Sequence, residues 1–158
     1  MRTKKAKIRE ISPDPKYNSV AVARLINRSM RDGKKSVAQT QVYKALDIIA
    51  QETKRKPVEV LEEAFEVMAP QMEVRSRRVG GASYQVPMPV RGRRATSLSI
   101  RWLVEISNKR PNKQYHSFAE KLAAEILDAL DNKGGVIEKK NAAHRMAEAN
   151  KAFAHFRW

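Results

Sequence analysis

The segment VRSRRVGGASYQVPMPVRGRR, residues 74 to 94, holds six arginines and no lysine, although the rest of the chain has ten arginines and sixteen lysines. A guanidinium is a planar fork that binds phosphate through two parallel hydrogen bonds and stacks on a base, whereas an ammonium is a compact point charge. Tyr84, inside the segment, adds an aromatic face on which an unpaired base can stack. Together these residues point to a nucleic-acid backbone. The bland alternative is that Arg75 and Arg77 pair with glutamates of the preceding acidic stretch and keep a strand edge soluble. That accounts for single arginines better than for all six.

Other residue types suggest no catalysis. His116, His144 and His155 are the only histidines, and the last two lie eleven residues apart. On one continuous helix that is roughly 16 Å along the axis at ~1.5 Å per residue, too far to share a metal. Capping, stacking or a phosphate contact suits them better. DGKK, at 32 to 35, lacks the earlier glycine and the preceding strand of a phosphate-binding loop. Glu59, Glu62, Glu63 and Glu66 have no histidine nearby and read as a solvated acidic face. We therefore expect no enzyme, no metal and no cofactor.

Charge narrows the class of partner. The chain has 158 residues, with 32 basic against 17 acidic ones and a net charge of +15. Such an excess repels itself unless a polyanion neutralises it. The distribution is uneven: +10 over residues 1 to 56, −4 over 57 to 72, +8 over 73 to 114, and near balance thereafter. No apolar run approaches the ~20 residues that span a bilayer, and no apolar secretory core follows the basic start. With no cysteine, disulfides and thiolate metal sites are excluded, which fits a reducing cytosol. The expectation is one domain, monomeric when free, with no membrane partner.

The elements that must position these residues are mostly helices. PDPKYNS, 13 to 19, is extended and ends on a serine suited to capping. Val22, Leu25, Ile26 and Met30 mark a first helix, stopped by Gly33. A second, Ser36 to Thr53, aligns Val42, Ala45, Leu46 and Ile49. Pro57 opens a third, with Leu61, Ala64, Phe65 and Met68 inward, and Pro70 ends it. Thr96 or Ser97 caps a fourth that carries Leu98, Trp102, Leu103 and Ile106. Ser117 and Glu120 have capping-box spacing before Leu122, Ile126, Leu127 and Leu130. After Gly134 and Gly135 a last helix is predicted over 136–158, with the stripe Ala142, Ala143, Met146, Ala149 and Phe153.

Residues 73–90 break that rhythm with a period of two. Gly80 and Gly81 supply a tight turn, and Pro87 and Pro89 keep the returning strand off the inside of a sheet. The prediction is a mainly α fold: a single-domain bundle of about six helices with a projecting β-hairpin arm between the third and fourth, and a basic N-terminal tail over 1–12.

DPKYNSVAVARLINRSMRDGKKS (14 to 36), MEVRSRRVGGASYQVPMPVRGRR (72 to 94), SIRWLV (99 to 104) and MAEANKAFAHFRW (146 to 158) closely resemble, in order, the bacterial form of the small-subunit ribosomal protein seven family. The resemblance implies a helical bundle with a long hairpin between the third and fourth helices. It implies a structural protein that binds the 3′ major domain of small-subunit rRNA and nucleates assembly of the head. Its place would be beside the exit-site tRNA and the mRNA exit path, in contact with ribosomal proteins nine and eleven. Carried over by position, the rRNA surface comprises Arg2, Lys4, Lys5, Lys7, Arg9, Arg28, Arg31, Lys34, Lys35, Arg75, Arg77, Arg78, Arg93 and Arg94. Gly80, Gly81, Tyr84, Arg145, Lys151 and Arg157 resemble the parts that face tRNA and protein eleven. PMPV departs from a familiar form, which has an acidic residue in place of Pro89, and this leaves the hairpin register open. The location implied is the small ribosomal subunit, in the cytoplasm of a bacterium or in an organelle with a bacterial-type ribosome. A free-standing repressor of its own messenger RNA is the second reading, and a helix-turn-helix DNA-binding protein, in which the hairpin would have no use, the third.

Overall fold

The computed structural model describes residues 9–157. Arg2, Lys4, Lys5 and Lys7 therefore lie outside the described residues, as does most of the basic tail.

Each early helix follows from its own residues. α1 spans Val20–Ser29 and starts where the Ser19 hydroxyl accepts from the amides of Ala21 and Val22. It buries Val22, Leu25 and Ile26. It stops four residues before Gly33, because Met30 leaves helical geometry (ψ 134°) and Asp32 and Gly33 both turn at positive φ. α2, Lys35–Thr53, buries Val42, Ala45, Leu46 and Ile49. α3, Pro57–Met68, has its proline in the first turn and buries Leu61, Ala64, Phe65 and Met68.

The chain then forms the hairpin β1, Met72–Val79, and β2, Ala82–Pro89. Gly80 (φ 57°) and Gly81 (φ 89°) form the two-residue loop, the left-handed pair that matches the strands' twist. The open register resolves as Val79 opposite Ala82 through Met72 opposite Pro89, without a bulge. Arg75 faces Val86 and Arg77 faces Tyr84.

α4 spans Arg93–Lys109 and begins earlier than expected. Gly92, at φ 51°, turns the chain directly from β2 into the helix, and its carbonyl accepts from Ala95 and Thr96. Thr96 and Ser97 thus lie inside the helix and cap nothing. α5, Phe118–Leu130, starts at Ser117, whose hydroxyl accepts from the Glu120 amide at 3.2 Å. The return bond of the box shifts by one residue: Glu120 accepts from the amide of His116 at 2.8 Å. Leu122 and Ile126 of α5 are fully buried among side chains of the other helices.

The last helix is shorter than predicted. α6 covers Gly135–Ala149, and a 3-10 segment follows over Lys151–Arg157. The predicted stripe is only partly inward: Ala142, Ala143 and Phe153 are half-buried. Val136, Ile137 and Ala147 are buried, while Met146 is 57% exposed and Ala149 is exposed. The inward side also carries two half-buried polar residues whose ends find distant partners. Lys140 donates to the carbonyl of Val67 at 2.6 Å, and His144 accepts from the amide of Gln71 at 3.0 Å. His144 and His155 accordingly sit on different elements rather than on one helix face.

One buried ion pair joins α4, α5 and α6. Glu125, only 1% exposed, accepts from Arg110 Nε at 2.6 Å and from the amide of Val136 at 2.9 Å. Arg110 also meets Asp128 and donates to the Tyr115 hydroxyl at 3.1 Å.

Candidate nucleic-acid interface

The outward side of α1 carries Arg24, Asn27 and Arg28, spaced so that they share a face. α4 packs beside it and presents Arg93, Ser97 and Arg101. Between them lies an open cavity of about 290 Å³, lined also by Ile11, with no acidic side chain among the described residues of its lining. Four guanidiniums around one groove repel each other and are drawn to an anion. Their forked donors suit a phosphodiester backbone.

Two helix starts add to this field. Neither α2 nor α4 has a side-chain cap, and each opens on cations, Lys34 and Lys35 in one case, Arg93 and Arg94 in the other. A helix N-terminus carries partial positive charge, so basic residues there are adverse unless an anion lies close by. Arg31, Lys34 and Lys35 are exposed on the α1–α2 turn.

On the hairpin, Glu73 organises the arginines. Its carboxylate accepts from Arg75 Nε at 2.5 Å and from Arg94 Nη2 at 2.6 Å. Burial alone would raise the Glu73 carboxyl, but the hydrogen bonds from Arg94 and Arg75 outweigh it and hold the group below the ordinary carboxylate range. For Arg75 the expected alternative, pairing with the acidic helix, is corrected by this geometry. The partner is a glutamate of the strand itself, while Glu63 and Glu59 of α3 pair with Arg55 and Lys56. Arg78, Arg91 and Arg93 are exposed, Arg77 is half-buried, and Gly80 and Gly81 form the exposed tip.

The hairpin leaves the bundle where expected, yet it is not isolated. Tyr84 packs against Phe153 and Phe156 of the C-terminal segment, with ring centroids 5.4 and 5.1 Å away. Arg157 donates to the carbonyl of Pro87 at 2.8 Å, and Val86 is fully buried. Tyr84 therefore packs on the C-terminal segment and is half-buried. Arg145 and Lys151 are exposed. The His155 ring lies tilted against Phe156, with centroids 4.0 Å apart.

The groove residues Arg24, Asn27 and Arg101 were not singled out from sequence. The signal for the first two was present, as the polar side of a helix whose other side is core. Arg101 becomes informative only once α4 lies against α1. Among the described residues no group of three or more histidine, aspartate or glutamate side chains is placed to hold a metal ion. No described helix is long and apolar enough to cross a membrane.

The family described as ribosomal protein S7p/S5e matches residues 1–151. The chain belongs to that family. Small ribosomal subunit protein uS7 of Caldanaerobacter subterraneus subsp. tengcongensis is 61% identical over 150 residues, 95% of this chain and 94% of that protein. The protein of the same name from Thermosipho melanesiensis is 54% identical over 158 residues, the whole of both chains. That from Marinobacter nauticus is 55% identical over 157 residues, 99% of each. Membership makes the chain a structural, non-enzymatic protein of the small ribosomal subunit.

Proposed function

We propose that this protein is an rRNA-binding component that seats the 3′ major domain of small-subunit rRNA and nucleates assembly of the head. The arginine groove between α1 and α4, which has no carboxylate among the described residues of its lining, carries this reading. Arg28 and Arg93 line it, and Arg9, Arg31, Lys34, Lys35, Arg75, Arg77, Arg78 and Arg94 extend the same basic character, with Arg2, Lys4, Lys5 and Lys7 contributing from the tail. The hairpin tip at Gly80 and Gly81, with Arg145 and Lys151, faces the exit-site tRNA, the mRNA exit path and ribosomal protein eleven. Ribosomal protein nine is a further neighbour. Tyr84 and Arg157 serve that end of the molecule by holding the hairpin. The protein is monomeric when off the ribosome, and its ribosome is cytoplasmic.

Binding to a 3′ major domain rRNA fragment and to duplex DNA, at matched salt, tests the reading. The expected outcome is tighter binding to the RNA and co-sedimentation with small subunits from lysate. Arg24→Glu and Arg101→Glu should each weaken RNA binding by about tenfold or more, since one charge-assisted bond contributes about 1.5–3 kcal/mol. Equal affinity for both nucleic acids, or groove variants that bind like the parent, would overturn it.

A further inference from the structure

We propose that Glu73, an acid, strengthens RNA binding by holding Arg75 and Arg94 as a two-guanidinium clamp for one phosphodiester of the bound strand. This rests on the functional reading above and adds to it a positioning residue whose charge is opposite to that of the surface it serves.

The carboxylate sits inside and the guanidiniums outside. The Glu73 side chain is 13% exposed, against 46% for Arg75 and 51% for Arg94. Glu73 and Arg75 lie two apart on β1, so strand alternation puts them on one side of the hairpin. Arg75 donates through Nε to Glu73 Oε1 at 2.5 Å. Arg94 comes from the first turn of α4. It donates through Nε to both carboxylate oxygens at 2.8 Å and through Nη2 to Oε2 at 2.6 Å. Although burial raises it, the bonds from Arg94 and Arg75 keep the Glu73 carboxyl below its ordinary value, so it holds both arginines throughout the neutral range.

Which donors stay free decides what the pair can do. A guanidinium has one N–H on Nε and two on each terminal nitrogen. Glu73 takes the Nε side of Arg75 and leaves its Nη1–Nη2 fork without a partner among the described residues; on Arg94 it leaves Nη1. That fork is the edge that binds a phosphate through two parallel bonds. One carboxylate against two guanidiniums also leaves the trio with a net positive charge, which an anion can neutralise. An arginine with no partner spreads over many rotamers and gives up that freedom when it binds; Glu73 has fixed both beforehand. Arg93, the residue before Arg94, lines the groove with Arg24, Arg28 and Arg101, so the clamp and the groove are neighbours along the chain.

Net charge and the clamp predict opposite signs. Glu73→Gln keeps the shape and removes a negative charge, so charge alone would tighten binding to a polyanion, most at low salt. The clamp predicts instead that Glu73→Gln weakens binding to the 3′ major domain rRNA fragment at every salt concentration, by about tenfold, the scale of one charge-assisted bond. The test compares full-length proteins across a salt series: the parent, Glu73→Gln, a chain with Arg75→Gln and Arg94→Gln, and the combination. Without the two arginines, Glu73→Gln should weaken binding by less than about twofold, because residues that act as one unit are not additive. Glu73→Asp keeps the charge and shortens the reach. It should lose affinity in the same direction, and it replaces Glu73→Gln should that variant melt below the assay temperature. Tighter or unchanged binding by Glu73→Gln, or equal loss with and without the arginines, overturns the clamp and leaves the functional reading intact. A parent chain that does not bind the fragment overturns both.

Discussion

Tyr84 of β2 lies against Phe156 of the C-terminal segment, the ring planes tilted by 36° and the centroids 5.1 Å apart. A free two-stranded hairpin is marginal in water. Here the support comes from the far end of the chain, and it reaches a residue only three positions past Gly81 at the tip. The alternation of residues 73–90 was sufficient to place the hairpin, but nothing local disclosed what would hold it.

Phe156→Ala should therefore loosen the hairpin without unfolding the bundle. An aromatic pair contributes about 0.5–1.5 kcal/mol beyond its buried area. Amide hydrogen exchange should speed up in β1 and β2 while the amides of α2 and α5 keep their protection. Uniform acceleration throughout the chain would count against a local anchor.

The joint between α3 and the hairpin should weaken in acid. Burial, then the charge of Lys140, lowers the His144 imidazole below its ordinary value, and neutral Nε2 accepts from the Gln71 amide. Because the folded value lies below the unfolded 6.5, the unfolded chain takes up the proton first. The contribution is thus fully present above that pH and is lost as pH falls through the folded value. Lys151, Arg157 and Glu148 line the same cleft, so the net surroundings oppose a further cation. His144→Gln should flatten the pH dependence of stability in the window just below 6.5, read as denaturant midpoints from pH 5 to 8.

Glu125→Ala should be among the most damaging single changes. It leaves the Arg110 guanidinium short of one partner and the Val136 amide unpaired. Removing one partner of a buried pair costs about 3–5 kcal/mol, although Asp128 stays to share the charge of Arg110. With a shift of roughly 2–4 °C per kcal/mol at this size, a melting point lowered by about 10 °C is expected. A shift of only a degree or two would mean that Asp128 replaces Glu125 fully.

Changing Arg75, Arg77, Arg78, Arg93 and Arg94 together to Lys separates charge from shape. The salt slope of RNA binding should stay near that of the parent, because net charge is kept. Affinity should fall at every salt concentration, because the planar fork is lost. Part of the loss should come from Glu73, which now orders Arg75 and Arg94 by bonds from their guanidinium nitrogens. Unchanged affinity in filter binding would show that positive charge alone is sufficient.

Features set by near neighbours were legible in the chain itself. The stripes of α2 and α3, the Ser19 cap, the Gly80–Gly81 turn and the basic excess each depend on spacing or composition within a few residues. The family resemblance was likewise carried by contiguous segments. Tertiary structure decided which polar groups could turn inward. Lys140 and His144 face inward on α6 only because Val67 and Gln71 wait there with backbone groups to bond, and a burial pattern read from apolar residues alone passes over them. The arginine groove has the same origin. Arg24 and Arg101 lie far apart in sequence, and like charges become one site only when packing brings α1 and α4 together, the apolar burial elsewhere in the core offsetting their repulsion.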